Sequence, residues 1–71
     1  MKREHDFYEM PDGLIVPGAK VRYFHELRHI RAIVDDDRVV YRVWRGGRWW
    51  YHIEWMYGFY LAWKDGNLKR D

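Results

Sequence analysis

The chain has no cysteine, only two prolines, and a net charge of just +2 in 71 residues. Without thiols, neither a disulfide framework nor a thiolate metal site can form, which fits a reducing compartment. Long apolar runs are missing too. The longest uncharged one, residues 55–63, is nine residues, less than half of the roughly 20 that span a bilayer as a helix. Met1-Lys2-Arg3-Glu4-His5-Asp6 runs straight into charge with no apolar segment behind it, so no secretory signal is expected. The expectation is a cytoplasmic protein with no membrane partner. Covalent catalysis has little to draw on, because cysteine is absent and hydroxyls are scattered, as the tyrosines are. Gly46-Gly47 is too short for a phosphate-cradling loop, and no cofactor is implied.

What the chain has instead is aromatic surface: five Trp, six Tyr and three Phe. A chain this short buries only roughly 60% of the surface it exposes when unfolded. Rings carrying about 150–250 Å² each let it build a core without disulfides. Charge is unevenly spread. Between positions 20 and 48 lie eight cations (Lys20, Arg22, Arg28, Arg31, Arg38, Arg42, Arg45, Arg48) against four acids (Glu26, Asp35, Asp36, Asp37). Nine of the thirteen cations are Arg, which stacks on rings and grips phosphate or carboxylate bidentately. A polyanion or a protein surface is the partner class this favours, against a merely solvated basic face.

The organisation expected is an N-terminal arm over 1–12 and a single small β-rich domain over 13–71. The arm is ordered only if Phe7 and Tyr8 dock. Pro11-Asp12-Gly13 and Pro17-Gly18 read as turns around a short strand, Leu14-Ile15-Val16. Over 19–28, Ala19, Val21 and Tyr23 alternate as a strand would, while Tyr23, Leu27, Ile30 and Val34 keep helical spacing. A strand followed by a loop is favoured. Three segments, 29–35, 38–45 and 48–55, are rich in β-branched and aromatic residues and are separated by turn-formers, so they predict an antiparallel meander.

Register then decides which side chains share a face, since a one-residue slip flips a strand. A two-residue Asp36-Asp37 turn pairs Val34 with Val39, Ala32 with Tyr41 and Ile30 with Val43. At the second turn, a two-residue Gly46-Gly47 loop pairs Val43 with Trp50 and puts Val39 and Tyr41 on a face with His52 and Glu54. A three-residue loop, Arg45-Gly46-Gly47, pairs Val43 with Trp49, Tyr41 with Tyr51 and Val39 with Ile53. The latter partitions apolar from polar residues more cleanly and is the reading adopted. Ile30, Ala32, Val34, Val39, Tyr41, Val43, Trp49, Tyr51, Ile53 and Trp55 then point inward. The outer face carries Ile33 and Val40 with a candidate binding set, Arg31, Arg42, Trp44, Arg48, Trp50 and His52. If the turn has two residues, that face dissolves, and with it most of the argument for nucleic acid. Beyond it, residues 54–64 read as a short helix with Trp55, Phe59 and Trp63 on one stripe and Gly66 as its C-cap. The alternative is a strand over 59–63 turning at Asp65-Gly66 into 67–70.

Two motifs suggest metal chemistry. His25-Glu26-Leu27-Arg28-His29 resembles the zincin H-E-x-x-H motif, in which both histidines bind zinc from one helical turn and the glutamate activates its water. The later candidates for the third ligand such a site needs are His52 and Glu54, both in the predicted hairpin. Asp35-Asp36-Asp37 has the oxygens a hard cation prefers, but three adjacent residues in a tight turn cannot all face one ion.

In pattern, a twisted meander with short strands before it and one element after it resembles a small Src-homology-3-like or Tudor-like barrel, over residues 13–63. No signature motif accompanies the likeness, so it implies a fold and little function. The expectation is therefore a mainly β protein, a small twisted antiparallel meander or such a barrel with a short C-terminal helix, acting as a binding module and not an enzyme. Nucleic acid is the first partner, because a sheet presenting rings among arginines can stack bases and neutralise phosphates. The second is another protein, as for an accessory factor or inhibitor of the kind phages and mobile elements encode, or a second copy of the chain. A zinc-dependent hydrolase through His25, Glu26 and His29 is the remote third.

Overall fold

The computed structural model describes residues 8–71; residues 1–7 of the expected arm, Phe7 among them, lie outside the described residues. Six elements follow in order: β1 (Lys20–Tyr23), β2 (Glu26–Val34), β3 (Arg38–Arg45), β4 (Arg48–Trp55), α1 (Met56–Lys64) and β5 (Leu68–Arg70). β1 to β4 form an antiparallel meander, and β5 returns to pair with β1, giving the order β4-β3-β2-β1-β5. The sheet is open, with β4 and β5 as its edges, and is not the closed barrel suggested by the sequence pattern.

Both turns differ from the expected ones. Val34 pairs with Arg38, so the first turn contains three residues, Asp35-Asp36-Asp37. Asp35 and Asp36 take φ of 54° and 61°, a left-handed conformation that Asp tolerates better than most residues. A bulge between Ile30 and Ala32 shifts the pairing by one residue, so Ile30 lies opposite Tyr41 and Ala32 opposite Val40. Arg31 is the inserted residue, and Ala32 and Val34 therefore face away from the core. At the second turn Arg45 pairs with Arg48 and Val43 with Trp50. The loop has two residues, with Gly46 and Gly47 at φ of 62° and 80°, the type I′ geometry whose twist matches the strands and which asks for glycine.

The three-residue reading of that loop is thus overturned. Of seven side chains assigned inward from β3 and β4, Val39, Tyr41 and Val43 are buried, whereas Tyr51, Ile53 and Trp55 are exposed and Trp49 is half-buried on the opposite face.

α1 covers the other side of the sheet. Met56, Phe59 and Ala62 are its buried stripe, and Phe59 meets the rings of Tyr41 at 5.7 Å and Tyr23 at 5.8 Å. Val21, Ile30, Val39, Val43 and Leu68 complete the core with Leu14 and Ile15, which lie in bends instead of the expected strand. The chain contains no Ser or Thr, and α1 starts without a side-chain cap. Met56 N–H instead donates to the Asp37 carbonyl at 2.7 Å. The helix ends as expected near Gly66, at φ 78°. Asn67 N–H donates to the Ala62 carbonyl and Gly66 N–H to that of Trp63, the paired bonds of a Schellman terminus. Tyr8 does dock, 5.0 Å from Tyr60 and 5.9 Å from Tyr57.

Candidate functional site

Strand alternation and the observed register sort the sheet into two chemically distinct faces. The face under α1 is held by a buried cation. Arg28, 7% exposed, lies 3.6 Å from the Tyr23 ring and 4.2 Å from that of Tyr41. Its Nε donates to Glu26 Oε1 at 2.9 Å and its Nη1 to Glu54 Oε2 at 2.7 Å, while Arg45 Nη2 donates to Glu26 Oε2 at 2.7 Å. Burial opposes ionisation of Glu26, but the hydrogen bonds and charges of Arg28 and Arg45 outweigh it and hold the carboxyl below its usual value. Burial raises the Tyr41 phenol to about 12, with Arg28 opposing and the Glu54 and Glu26 charges adding to the rise. Trp50, His52 and Glu54 share the inner face with Val39, Tyr41 and Val43 because each has an outlet there: Glu54 accepts from Arg28, Trp50 Nε1 donates to the Arg45 carbonyl, and His52 stacks on Tyr41 while staying exposed.

Among the described residues, no helix lies over the opposite face. It carries Lys20 and Arg22 from β1, His29 from β2, Arg38, Arg42 and Trp44 from β3, Trp49, Tyr51, Ile53 and Trp55 from β4, and Lys69 from β5, as the registers place them. Both strand carboxylates, Glu26 and Glu54, are on the other side. The rings form a connected row. Trp44 packs edge-on to Trp49 at 5.1 Å, His29 meets Trp49 at 5.0 Å, and the Arg42 guanidinium lies 3.9 Å from the Trp49 centroid while donating to Tyr51 Oη at 3.0 Å. Trp44, Tyr51 and Trp55 are nevertheless about 60% exposed (60%, 59% and 61%). Arg22 pairs with Asp71, and Arg38 with Asp35 and Asp37. Lys20, Arg42 and Lys69 have no ion pair among the described residues. The excess of positive charge registers on His29, whose pKa is lowered by burial and by Lys20, Arg42 and Arg31, against an opposing Asp71.

The predicted set Arg31, Arg42, Trp44, Arg48, Trp50 and His52 is therefore divided. Arg42 and Trp44 stand on the open face. Arg48, Trp50 and His52 lie on the helix side, where Trp50 Nε1 donates to the Arg45 carbonyl, Arg48 stacks 4.4 Å from the Trp50 ring, and His52 stacks on Tyr41. Arg31 is exposed at the bulge. The face expected from a three-residue loop dissolves, and another with different members takes its place. Trp49, Tyr51 and Trp55, assigned inward from sequence, belong to it. The signal that could have placed them was the Gly-Gly pair itself, which suits a two-residue hairpin turn.

His25 sits in the β1–β2 turn and His29 in β2. Four residues of extended chain separate them by about 13 Å, so they do not share the helical turn a zincin requires. Among the described residues no three His, Asp or Glu side chains gather to hold a metal, the Asp35-Asp36-Asp37 turn included, and no helix is long and apolar enough to cross a membrane. Comparison with protein-family models, curated proteins and solved structures yields no match.

Proposed function

We propose that this chain is a single-stranded nucleic-acid-binding module that uses the open face of its sheet and is not an enzyme. One observation carries the reading: an aromatic row (Trp44, Trp49, Tyr51, Trp55), over which no other described element packs, runs beside cations on a face to which no described strand contributes a carboxylate. Successive same-face residues along β4 are about 6.8 Å apart, which leaves room for splayed-out bases to stack over individual rings. Each base stacked on an aromatic side chain contributes about 1–3 kcal/mol and is sequence-tolerant. Lys20, Lys69 and Arg42 supply phosphate neutralisation, so affinity falls as salt rises. Of the residues expected from sequence, the nucleic-acid reading keeps Arg42 and Trp44 and adds Trp49, Tyr51, Trp55, Lys20 and Lys69.

The test is fluorescence anisotropy with labelled single-stranded DNA, single-stranded RNA and duplex, titrated with the full chain at several salt concentrations. Preferential, salt-sensitive binding to single strands that weakens in Trp44→Ala supports the module. Absence of binding at low salt contradicts it. A protein-binding module is the second reading, favoured by Ile53, which is 54% exposed among the rings and offers a base neither charge nor a stacking surface. A discrete protein captured from lysate after nuclease treatment, by wild type and not by Ile53→Asp, would favour it.

A further inference from the structure

The two edges of the sheet are not equivalent. β5 is a three-residue edge carrying Lys69, and short strands with lysine are among the devices that protect sheet edges from other chains. β4 has eight residues, Arg-Trp-Trp-Tyr-His-Ile-Glu-Trp, with no proline, no lysine and an unbroken register against β3. In the two-residue hairpin the closing pair Arg45 and Arg48 exchanges hydrogen bonds, so every second residue from Arg48 turns its backbone toward β3. Met56 N–H, which donates to the Asp37 carbonyl, continues that series. The remaining residues Trp49, Tyr51 and Ile53 turn N–H and C=O to the free edge, and among the described residues nothing pairs with them, while the next in the series, Trp55, is already the N-cap of α1.

This edge is self-complementary. For two copies related by a two-fold axis perpendicular to the sheet, residues brought opposite each other share a face. Centred on Tyr51, the pairing sets Arg48 opposite the partner's Glu54, Trp49 opposite the partner's Ile53 and Trp50 opposite the partner's His52. The free backbone groups of Trp49, Tyr51 and Ile53 then meet as hydrogen-bonded pairs. Of the registers that keep this parity, only this one opposes Arg48 to Glu54. Arg48 has no ion pair among the described residues, and the Glu54 side chain is 43% exposed, with carboxylate lone pairs to spare beyond its bond to Arg28. Opposite charges directly across strands stabilise a pairing, and apolar pairs such as Trp with Ile do likewise.

We propose that β4 is a homodimerisation edge: a second copy of this chain adds its own β4 antiparallel about Tyr51, making a ten-stranded sheet in which the two aromatic rows abut on one side. β4 supports this whether or not the open face binds nucleic acid.

Sedimentation equilibrium of the full chain without nucleic acid, from micromolar to millimolar loading, tests the proposal. Twice the chain mass is expected at the upper end, with the monomer alone for Tyr51→Lys, which sets two ammonium groups against each other on the axis. Arg48→Glu, facing the partner's Glu54, should raise the dissociation constant at least tenfold. Disulfide formation gives a readout in folded protein, because the chain has no cysteine of its own and residues opposed on the axis lie about 5.5 Å apart, within disulfide range. Oxidised Tyr51→Cys should cross-link rapidly and Tyr57→Cys, on the exposed side of α1, should not. A monomer at every concentration, a dimer indifferent to Tyr51→Lys, or equal cross-linking of the two cysteine variants would overturn the assignment.

Discussion

The two faces of the sheet use the same residue types for opposite ends. Under α1, Arg28 is enclosed by Tyr23 and Tyr41 and anchored by Glu26 and Glu54, so its charge is matched, with Tyr41 buried and Tyr23 half-buried around it. On the open face, Arg42 lies against Trp49 and Tyr51 with no carboxylate, and the flanking rings stay exposed to water. Aromatic and arginine content therefore does not by itself identify a binding surface. What distinguishes the faces is where the acids are, and register alone sets that.

Substitutions that disturb the covered face should cost stability. Phe59 is fully buried against Tyr41 and Tyr23, and Phe59→Ala should remove about 3–5 kcal/mol, read from the urea midpoint; for a domain this small that approaches complete unfolding. Arg28→Ala should cost about 1–3 kcal/mol in the same assay. This is below the figure for a fully buried pair, because Glu26 and Glu54 are 34% and 43% exposed and regain water.

The open face should behave in the opposite way. Trp44→Ala should weaken oligonucleotide binding by about 1–3 kcal/mol while moving the urea midpoint by less than about 0.5 kcal/mol, as exposed sites do. A loss of stability of the Phe59 kind would mean that Trp44 is structural. Gly58 gives a control on neither face. A Cβ there would meet nothing within 4 Å, so Gly58→Ala should stabilise α1 by about 0.5–1 kcal/mol with binding unchanged.

The smallest effect is on pH. His29 has its folded value held below the ordinary 6.5 by burial and its cationic neighbours. As pH falls through the unfolded value the unfolded chain takes up its proton first, so this group's stability contribution is lost on acidification. A nucleic-acid strand over Lys20 and Arg42 would reverse the preference, so binding should tighten below pH 6.5 in wild type and stay flat in His29→Asn.

The meander itself was legible. The expected segments 38–45 and 48–55 coincide with β3 and β4, and a helix capped near Gly66 follows, because β-branched and aromatic runs between turn-formers leave few alternatives. The register was not. Counting apolar residues favoured a three-residue glycine turn, since it gave a wholly apolar inner face. That counting could not foresee Arg28 inside the layer, which partners Glu54 there, nor that Trp50 and His52 stay exposed on that side, with Trp50 bonded to the Arg45 carbonyl. The bulge at Arg31 and the left-handed Asp35 and Asp36 added a second slip, which turned Ala32 and Val34 outward. Nor does sequence show that a nine-residue helix covers only one side of a five-stranded sheet, leaving it open rather than closed as a barrel.

The five indole N–H resonances of ¹⁵N-labelled protein, followed by NMR during titration with a single-stranded oligonucleotide, test the division of faces most directly. Trp44, Trp49 and Trp55 should shift and broaden in a salt-dependent way, while Trp50, bonded to the Arg45 carbonyl, and Trp63 on the helix should hold still. Shifts confined to Trp50 and Trp63, or none at all, would contradict the account.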